Sequence, residues 1–293
     1  MQLPPIPADA HKYSRGSLLI LAGSRRFPGS AVLAARAAAR SGAGYVSLAV
    51  PASVTPIAQS HLLTVPVLAA AEDQGAFAAG ALAPLLAELR PPDAILCGPG
   101  LTITAGTQAL LADLLCQAPA PLVLDADAIN LLGYPDADGQ PLWQHLPAET
   151  ILTPHSGELS RLLATVAGEG RTIPAGQPVA DPSTFAELAG RLQVVLVVKG
   201  PQTIVYAPTA TIRPYLVTPA TAAVAKAGSG DVLAGILAAL LAQGASAWEA
   251  ATNGMELAVA AGRLAEMNGS RRSLIASDII EALSPAIRQI EGV

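Results

Sequence analysis

Lys226-Ala227-Gly228-Ser229-Gly230-Asp231 runs straight into the apolar segment Val232–Ala242. Two glycines let a backbone pass close to a ligand. A helix starting near Gly230 would aim unpaired N–H groups and a partial positive charge at whatever sits there. A phosphate group fits that description. Asp231 then falls in the first turn, where the helix dipole favours its ionised form and leaves it available to a substrate hydroxyl proton. Gly244 stands where a glycine closing the helix is expected. Taken alone, the same motif also describes a capped core helix after a glycine loop.

Outward from that motif, short apolar runs ending in Gly or Asp alternate with Ala/Leu-rich stretches of helical character. Strands are expected at Ser17–Leu21, Tyr45–Val50, Asp93–Cys97, Pro121–Leu124, Thr150–Leu152, Val194–Val198 and Thr203–Tyr206. Helices are expected at Ser30–Arg40, Gly75–Leu89, Thr104–Gln117, Ser156–Ala164, Pro182–Leu192, Val232–Gln243 and Ala247–Glu266, and Gly168–Val179 reads as a surface loop. This is the pattern of an α/β protein with a mainly parallel sheet covered on both faces. Ligands of such sheets bind beyond the carboxyl ends of the strands. Gly23-Ser24, Gly98-Pro99-Gly100, Asp125-Ala126-Asp127, Thr153-Pro154-His155 and Lys199-Gly200 all follow expected strands and could line one cleft.

The 293 residues carry no Ser/Gly-rich or charged linker, so a single domain spanning 1–293 is expected. Hydrophobic residues make up 52% but aromatics only 3%, which suits small side chains packing helices closely onto buried strands. A formal charge of −5 with no basic cluster argues against a nucleic-acid surface and for small-molecule partners. Cys97 and Cys116 form no disulfide framework, which fits a reducing cytoplasm. Met1–Arg15 is polar and Pro-rich, and no apolar run approaches the roughly 18 residues of a membrane span, so neither export nor membrane anchoring is expected.

Read together, the motifs resemble the NAD(P)H-hydrate dehydratase family of the ribokinase-like superfamily, from His11 to about Leu283. They are His11-Lys12-Tyr13-Ser14-Arg15-Gly16, Ala22-Gly23-Ser24 leading to Pro28-Gly29-Ser30, Arg40-Ser41-Gly42-Ala43-Gly44 and Gly98-Pro99-Gly100-Leu101. Asp125-Ala126-Asp127-Ala128, Leu152-Thr153-Pro154-His155 with Glu158, Lys199-Gly200-Pro201-Gln202-Thr203 and the Gly-Ser-Gly-Asp helix start complete the set. The resemblance implies a three-layer α/β/α sandwich. It also implies a repair reaction in which a nucleoside phosphate drives water out of NADHX or NADPHX, the nicotinamide cofactors hydrated at C6. Bacterial members generally use ADP and eukaryotic ones ATP.

Residue roles carry over motif by motif. Asp231 matches the catalytic, substrate-contacting aspartate, and Ser30, Gly100 and His155 match positions that meet the damaged cofactor. Lys199, Gly200, Pro201, Gln202 and Thr203 match the nucleotide-binding segment, with Gly228 and Gly230 holding phosphate. Glu158 occupies the acidic place that holds Mg2+ through water in ribokinase-type proteins, and equally suits an ordinary first-turn glutamate. Asp125 and Asp127 are open to a metal or ribose contact or to turn shaping. Arg25 and Arg26 are open to a phosphate or to plain solvent.

Two departures stand out: Ser30 where the family usually has Ala, and Ala220-Thr221-Ala222-Ala223 in place of Gly-Asn-x-Gly. The resemblance further implies a homo-tetramer. Residues 1–10 are too short for the fused epimerase of many relatives, so an epimerase partner is expected as a separate chain. A plain small-molecule kinase of the same superfamily and a non-catalytic nucleotide sensor are the rival readings. Gly42-Ala43-Gly44 precedes a strand, the reverse of a Rossmann fingerprint, and no Walker motif is present.

Overall fold

A computed structural model of the chain describes residues 2–167, 182–217 and 226–292. The surface loop expected at Gly168–Val179 and the Ala220–Ala223 departure lie outside the described residues.

The described residues form a nine-stranded sheet in the order β11-β10-β9-β8-β7-β6-β1-β2-β3. Its parallel strands are β1 (Ser17–Leu21), β2 (Tyr45–Pro51), β3 (Val67–Ala70), β6 (Ala94–Cys97), β7 (Leu122–Leu124), β8 (Ile151–Leu152) and β9 (Val195–Val198). β10 (Ile204–Tyr206) and β11 (Tyr215–Leu216) continue one edge antiparallel. β4 (Glu72–Asp73) and β5 (Ala76–Phe77) make a separate hairpin.

Every residue of β1 is buried, as expected of a strand covered on both faces. Side-chain alternation splits it between two cores. Leu18 and Ile20 join the core that contains α1 (Pro28–Arg40), α8 (Ser229–Ala242), α9 (Ala247–Asn268) and α10 (Ala276–Glu291). Leu19 and Leu21 join the opposite core with α3 (Leu82–Glu88), α4 (Ala105–Gln117), α5 (Asp127–Leu131), α6 (Ser156–Ala167) and α7 (Pro182–Leu192). The result is the expected three-layer sandwich.

Small residues bring the helices together. Ala31, Ala34, Ala35, Ala37 and Ala38 are the buried face of α1 along with Val32, and a Cβ on Gly235 of α8 would stand only 2.3 Å from the Ala34 carbonyl oxygen. Backbone meets backbone there, so the low aromatic content is a packing requirement.

The sequence expectation fails in several places and also passes over α5, β4, β5 and β11. The helix expected at Gly75–Leu89 begins only at Leu82, because Gln74 (φ 50°) and Gly75 (φ 87°) form the two-residue turn of the β4–β5 hairpin. α2 (Thr55–His61) and β3 went unread. So did α10, whose interior Pro285 masks an otherwise strongly amphipathic helix.

In register, Leu21, Cys97, Leu124 and Leu152 end adjacent strands in one row. Gly98, Asp125 and Thr153 therefore emerge side by side. The His11–Gly16 and Arg40–Gly44 motifs lie at the opposite, amino-terminal ends of the strands, ahead of β1 and β2. A Cβ on Gly16 would stand 2.1 Å from the Ala242 oxygen and one on Gly44 2.1 Å from the Lys12 oxygen, so these motifs brace strand starts.

Candidate active site

The amino terminus of α8 arrives above this row of loops. Gly228 caps the helix with φ 85° and ψ −11°, a left-handed conformation that favours glycine. Its missing Cβ also leaves room for Leu33 and Ala276, each of which would otherwise lie 2.8–3.1 Å away. The first backbone hydrogen bond closing onto this turn runs from Val232 N–H to the Gly228 oxygen (3.2 Å), so by helix geometry Gly230 and Asp231 present N–H groups that no carbonyl of the helix can take.

Below Gly230 lies a buried ionic cluster. Lys199 Nζ donates to Asp125 Oδ1 at 2.7 Å, and Thr153 Oγ1 donates to the same oxygen at 2.6 Å. Asp125 is only 2% exposed. A Cβ on Gly230 would sit 3.5 Å from Lys199 Nζ and 3.9 Å from Asp125 Oδ2, which places the glycine directly against the pair. Burial works against the Lys199 charge, but the carboxylates of Asp125, Glu158 and Asp231 together hold its pKa above the ordinary value.

Asp231 carries the reverse perturbation. Burial, reinforced by the negative Asp125, pushes its carboxyl up to about 6, while Ser30 and Lys199 pull it down. Ser30 lies in the first turn of α1. A Cβ on Gly100 (φ 66°) would meet Ser30 Cβ and Phe27 at 2.9 Å, so the loop after β6 packs onto that turn. Ser30, Gly100, Asp231, Lys199, Gly228 and Gly230 are thus brought together as the sequence suggested.

His155 and Glu158 are near neighbours of the cluster, tied to β9 through the bridge between His155 and Lys199. His155 Nδ1 accepts from Gly157 N–H (3.0 Å) and Glu158 N–H (3.3 Å), while Nε2 lies 3.1 Å from Glu158 Oε1. The imidazole therefore caps α6 as the neutral Nε2–H tautomer. Burial, with Lys199 and Arg161 nearby, lowers its pKa accordingly. Glu158 returns the favour: Oε2 accepts from His155 N–H at 2.9 Å. Burial raises the Glu158 pKa.

Gly200, Pro201 and Gln202 are exposed in the turn from β9 to β10, with Thr203 Oγ1 donating to the Gly200 oxygen at 3.4 Å. They rim the site without entering the cluster. Asp127 accepts from Thr102 N–H at 2.9 Å and so shapes the loop after β6. Arg25 is paired with Glu72 at 3.0 Å, and Arg26 lies over the Phe27 ring at 5.2 Å. Sequence reasoning left the joint role of Asp125 and Thr153 unread, although both directly follow neighbouring strands.

Among the described residues no three His, Cys, Asp or Glu side chains converge as a metal cage. Both Glu158 oxygens are engaged by His155. That donor set fits a Mg2+ carried in on nucleotide phosphates and touched through water better than one bound by protein alone.

The fold matches that of a ribokinase-like superfamily protein of Enterococcus faecalis, 22% identical with a TM-score of 0.78 over 98% of this chain and 92% of that one. Residues 18–285 match the NAD(P)H-hydrate dehydratase family model. The chain is 38% identical over 283 residues to the bifunctional NAD(P)H-hydrate repair enzyme of Salinibacter ruber, covering 96% of this chain and 49% of that protein. It is 34% identical over 265 residues to the ADP-dependent (S)-NAD(P)H-hydrate dehydratase of Xanthomonas campestris, covering 90% and 85%. The ADP/ATP-dependent NAD(P)H-hydrate dehydratase of Bacillus subtilis, co-crystallised with ATP and Mg2+, is 29% identical with a TM-score of 0.76 over 98% of this chain and 94% of that one. This chain therefore belongs to the NAD(P)H-hydrate dehydratase family. It spans about half the length of the bifunctional relatives it matches.

Proposed function

We propose that this protein restores NADH and NADPH from their C6 hydrates, using ADP or ATP to remove the added water. The observation that carries this reading is the Asp231 carboxyl, held at about 6 in the first turn of α8 beside Ser30 and Lys199. A carboxyl there is ionised at neutral pH yet basic enough to take a hydroxyl proton. Family membership selects the hydrated cofactor over other alcohols.

Hydroxide is a poor leaving group, so the hydroxyl is converted to a phosphate ester. Asp231 accepts the C6 hydroxyl proton as that oxygen attacks the terminal phosphorus, and AMP or ADP departs. The Gly228–Gly230 turn and Lys199 hold the phosphate groups, so charge on the transferring phosphoryl is met by N–H donors and an ammonium. The ring nitrogen lone pair then expels phosphate from C6, and loss of a C5 proton regenerates the dihydropyridine. The sum is hydrate plus nucleotide giving reduced cofactor, phosphate and the shorter nucleotide.

Three carboxylates surround Lys199, so nucleotide phosphates entering this site need an accompanying cation. Mg2+ would supply that charge, with Glu158 holding one of its waters. Wild-type protein given hydrated NADPH, Mg2+ and ADP or ATP should regain the reduced-nicotinamide absorbance. Recovery that proceeds equally well without nucleotide would refute the proposal.

A further inference from the structure

We infer that Asp125, backed by Thr153, is a positioning residue that fixes the Lys199 ammonium against the Gly228–Gly230 turn for phosphoryl transfer. The inference rests on the reading of Lys199 as a nucleotide-binding group, and assigns new work to two residues outside it.

The geometry is specific. One Asp125 oxygen takes both the Lys199 ammonium and the Thr153 hydroxyl, at 2.7 and 2.6 Å. The carboxylate is itself clamped by its backbone. Asp125 N–H donates to the Cys97 carbonyl oxygen at 3.1 Å, and a Cβ on Gly98 would stand 1.8 Å from the backbone carbonyl oxygen of Asp125. The next residue, Ala126, adopts φ 51° and ψ −118°, a conformation that costs a non-glycine residue energy and persists only where the surroundings enforce it.

Burying an aspartate with a lysine gains little stability over apolar side chains of the same size. What the pair does gain is direction. Lysine is a flexible point charge with three donors; spending one on Asp125 aims the ammonium at Gly230 and leaves others for a phosphate oxygen. Asp125 is an anion beside an anion site, so it gives nothing to ground-state nucleotide binding. Its effect falls on the step in which the ammonium must track the moving phosphoryl group, that is, on kcat.

The test measures kcat, KM for hydrated NADPH and nucleotide Kd in Asp125→Asn, Lys199→Met, the double variant, Thr153→Val and Thr153→Ser. Lys199→Met should lower kcat about 100-fold and Asp125→Asn about 30-fold, the latter with nucleotide Kd unchanged or tighter. Because Asp125 acts through Lys199, the double variant should lie within about twofold of Lys199→Met. Thr153→Val should lose about five- to tenfold in kcat and Thr153→Ser should recover it. That hydroxyl pair keeps the test alive should Asp125→Asn fail to fold. Multiplicative losses in the double variant, or an unchanged kcat in Asp125→Asn or Thr153→Val, would overturn the inference while leaving the role of Lys199 standing. An inert Lys199→Met would overturn that role as well.

Discussion

Gly230 lies against Lys199: a methyl group added at Gly230 would stand 3.5 Å from the lysine nitrogen, an ordinary contact that still occupies the space above the ammonium. A ligand phosphate reaching both the backbone N–H groups of this turn and Lys199 must use that same space. Gly230→Ala should therefore fold and bind nucleotide more weakly, and Gly230→Val should lose the ligand-induced rise in melting temperature. A full thermal shift with ADP or ATP in a folded Gly230→Val protein would place the phosphate elsewhere.

Asp231→Asn keeps the shape of the side chain and removes its base. Turnover should fall by at least about 100-fold while nucleotide binding survives. The same substitution should stabilise the fold. The native pKa of Asp231, about 6, exceeds the ordinary 3.8, so its contribution to stability is full below pH 3.8 and lost as pH rises through about 6. Thermal denaturation should find Asp231→Asn more stable than wild type at pH 8, with the gap closing at pH 4. A variant less stable at pH 8 would contradict the burial penalty inferred for this carboxyl.

The pH profile of kcat should carry an acidic limb near 6, with activity rising as Asp231 loses its proton. Asp125 and Lys199 face Asp231 with opposite charges, and Ser30 favours its ionised form. His155 titrates below its ordinary 6.5, so it must be separated from Asp231. The limb should persist in His155→Asn; its disappearance there would transfer the assignment to the imidazole.

His155 spends Nδ1 on the N–H groups of Gly157 and Glu158, so its removal has a structural cost of about 1 kcal/mol from the lost cap. His155→Asn offers an oxygen in place of Nδ1 and should recover most of that stability, but it cannot supply the Nε2–H. If His155 also meets the hydrated cofactor, KM for that substrate is raised in both His155→Ala and His155→Asn while nucleotide Kd is unchanged. Wild-type KM in a stable His155→Asn protein would leave the residue as a cap alone.

The strands that position this site were legible because burial on both faces forces Leu/Ile/Val runs such as Leu18–Leu21 and Ile95–Cys97. β3 was harder: Val67 and Leu68 are only partly buried and Ala69 is exposed, so no run of core residues marks it. Pro285 hid α10. At the site, Asp231, Gly228 and Lys199 announced themselves through glycine spacing and strand-end position. The bond between Thr153 and Asp125 did not, because it spans 28 residues and exists only once β7 and β8 pair in register. The capping use of His155 was hidden for another reason: a histidine before Ser-Gly-Glu reads equally as ligand or cap until the ring orientation is known.

Isotope tracing decides whether the C6 oxygen leaves as phosphate. Hydrated NADPH prepared in 18O-labelled water carries the label at the C6 hydroxyl and is then turned over with ADP or ATP in ordinary water. One 18O should appear in each inorganic phosphate released, in step with each reduced cofactor recovered. Label appearing in solvent water instead, or a labelled phosphorylated product that accumulates without NADPH, would contradict departure as phosphate.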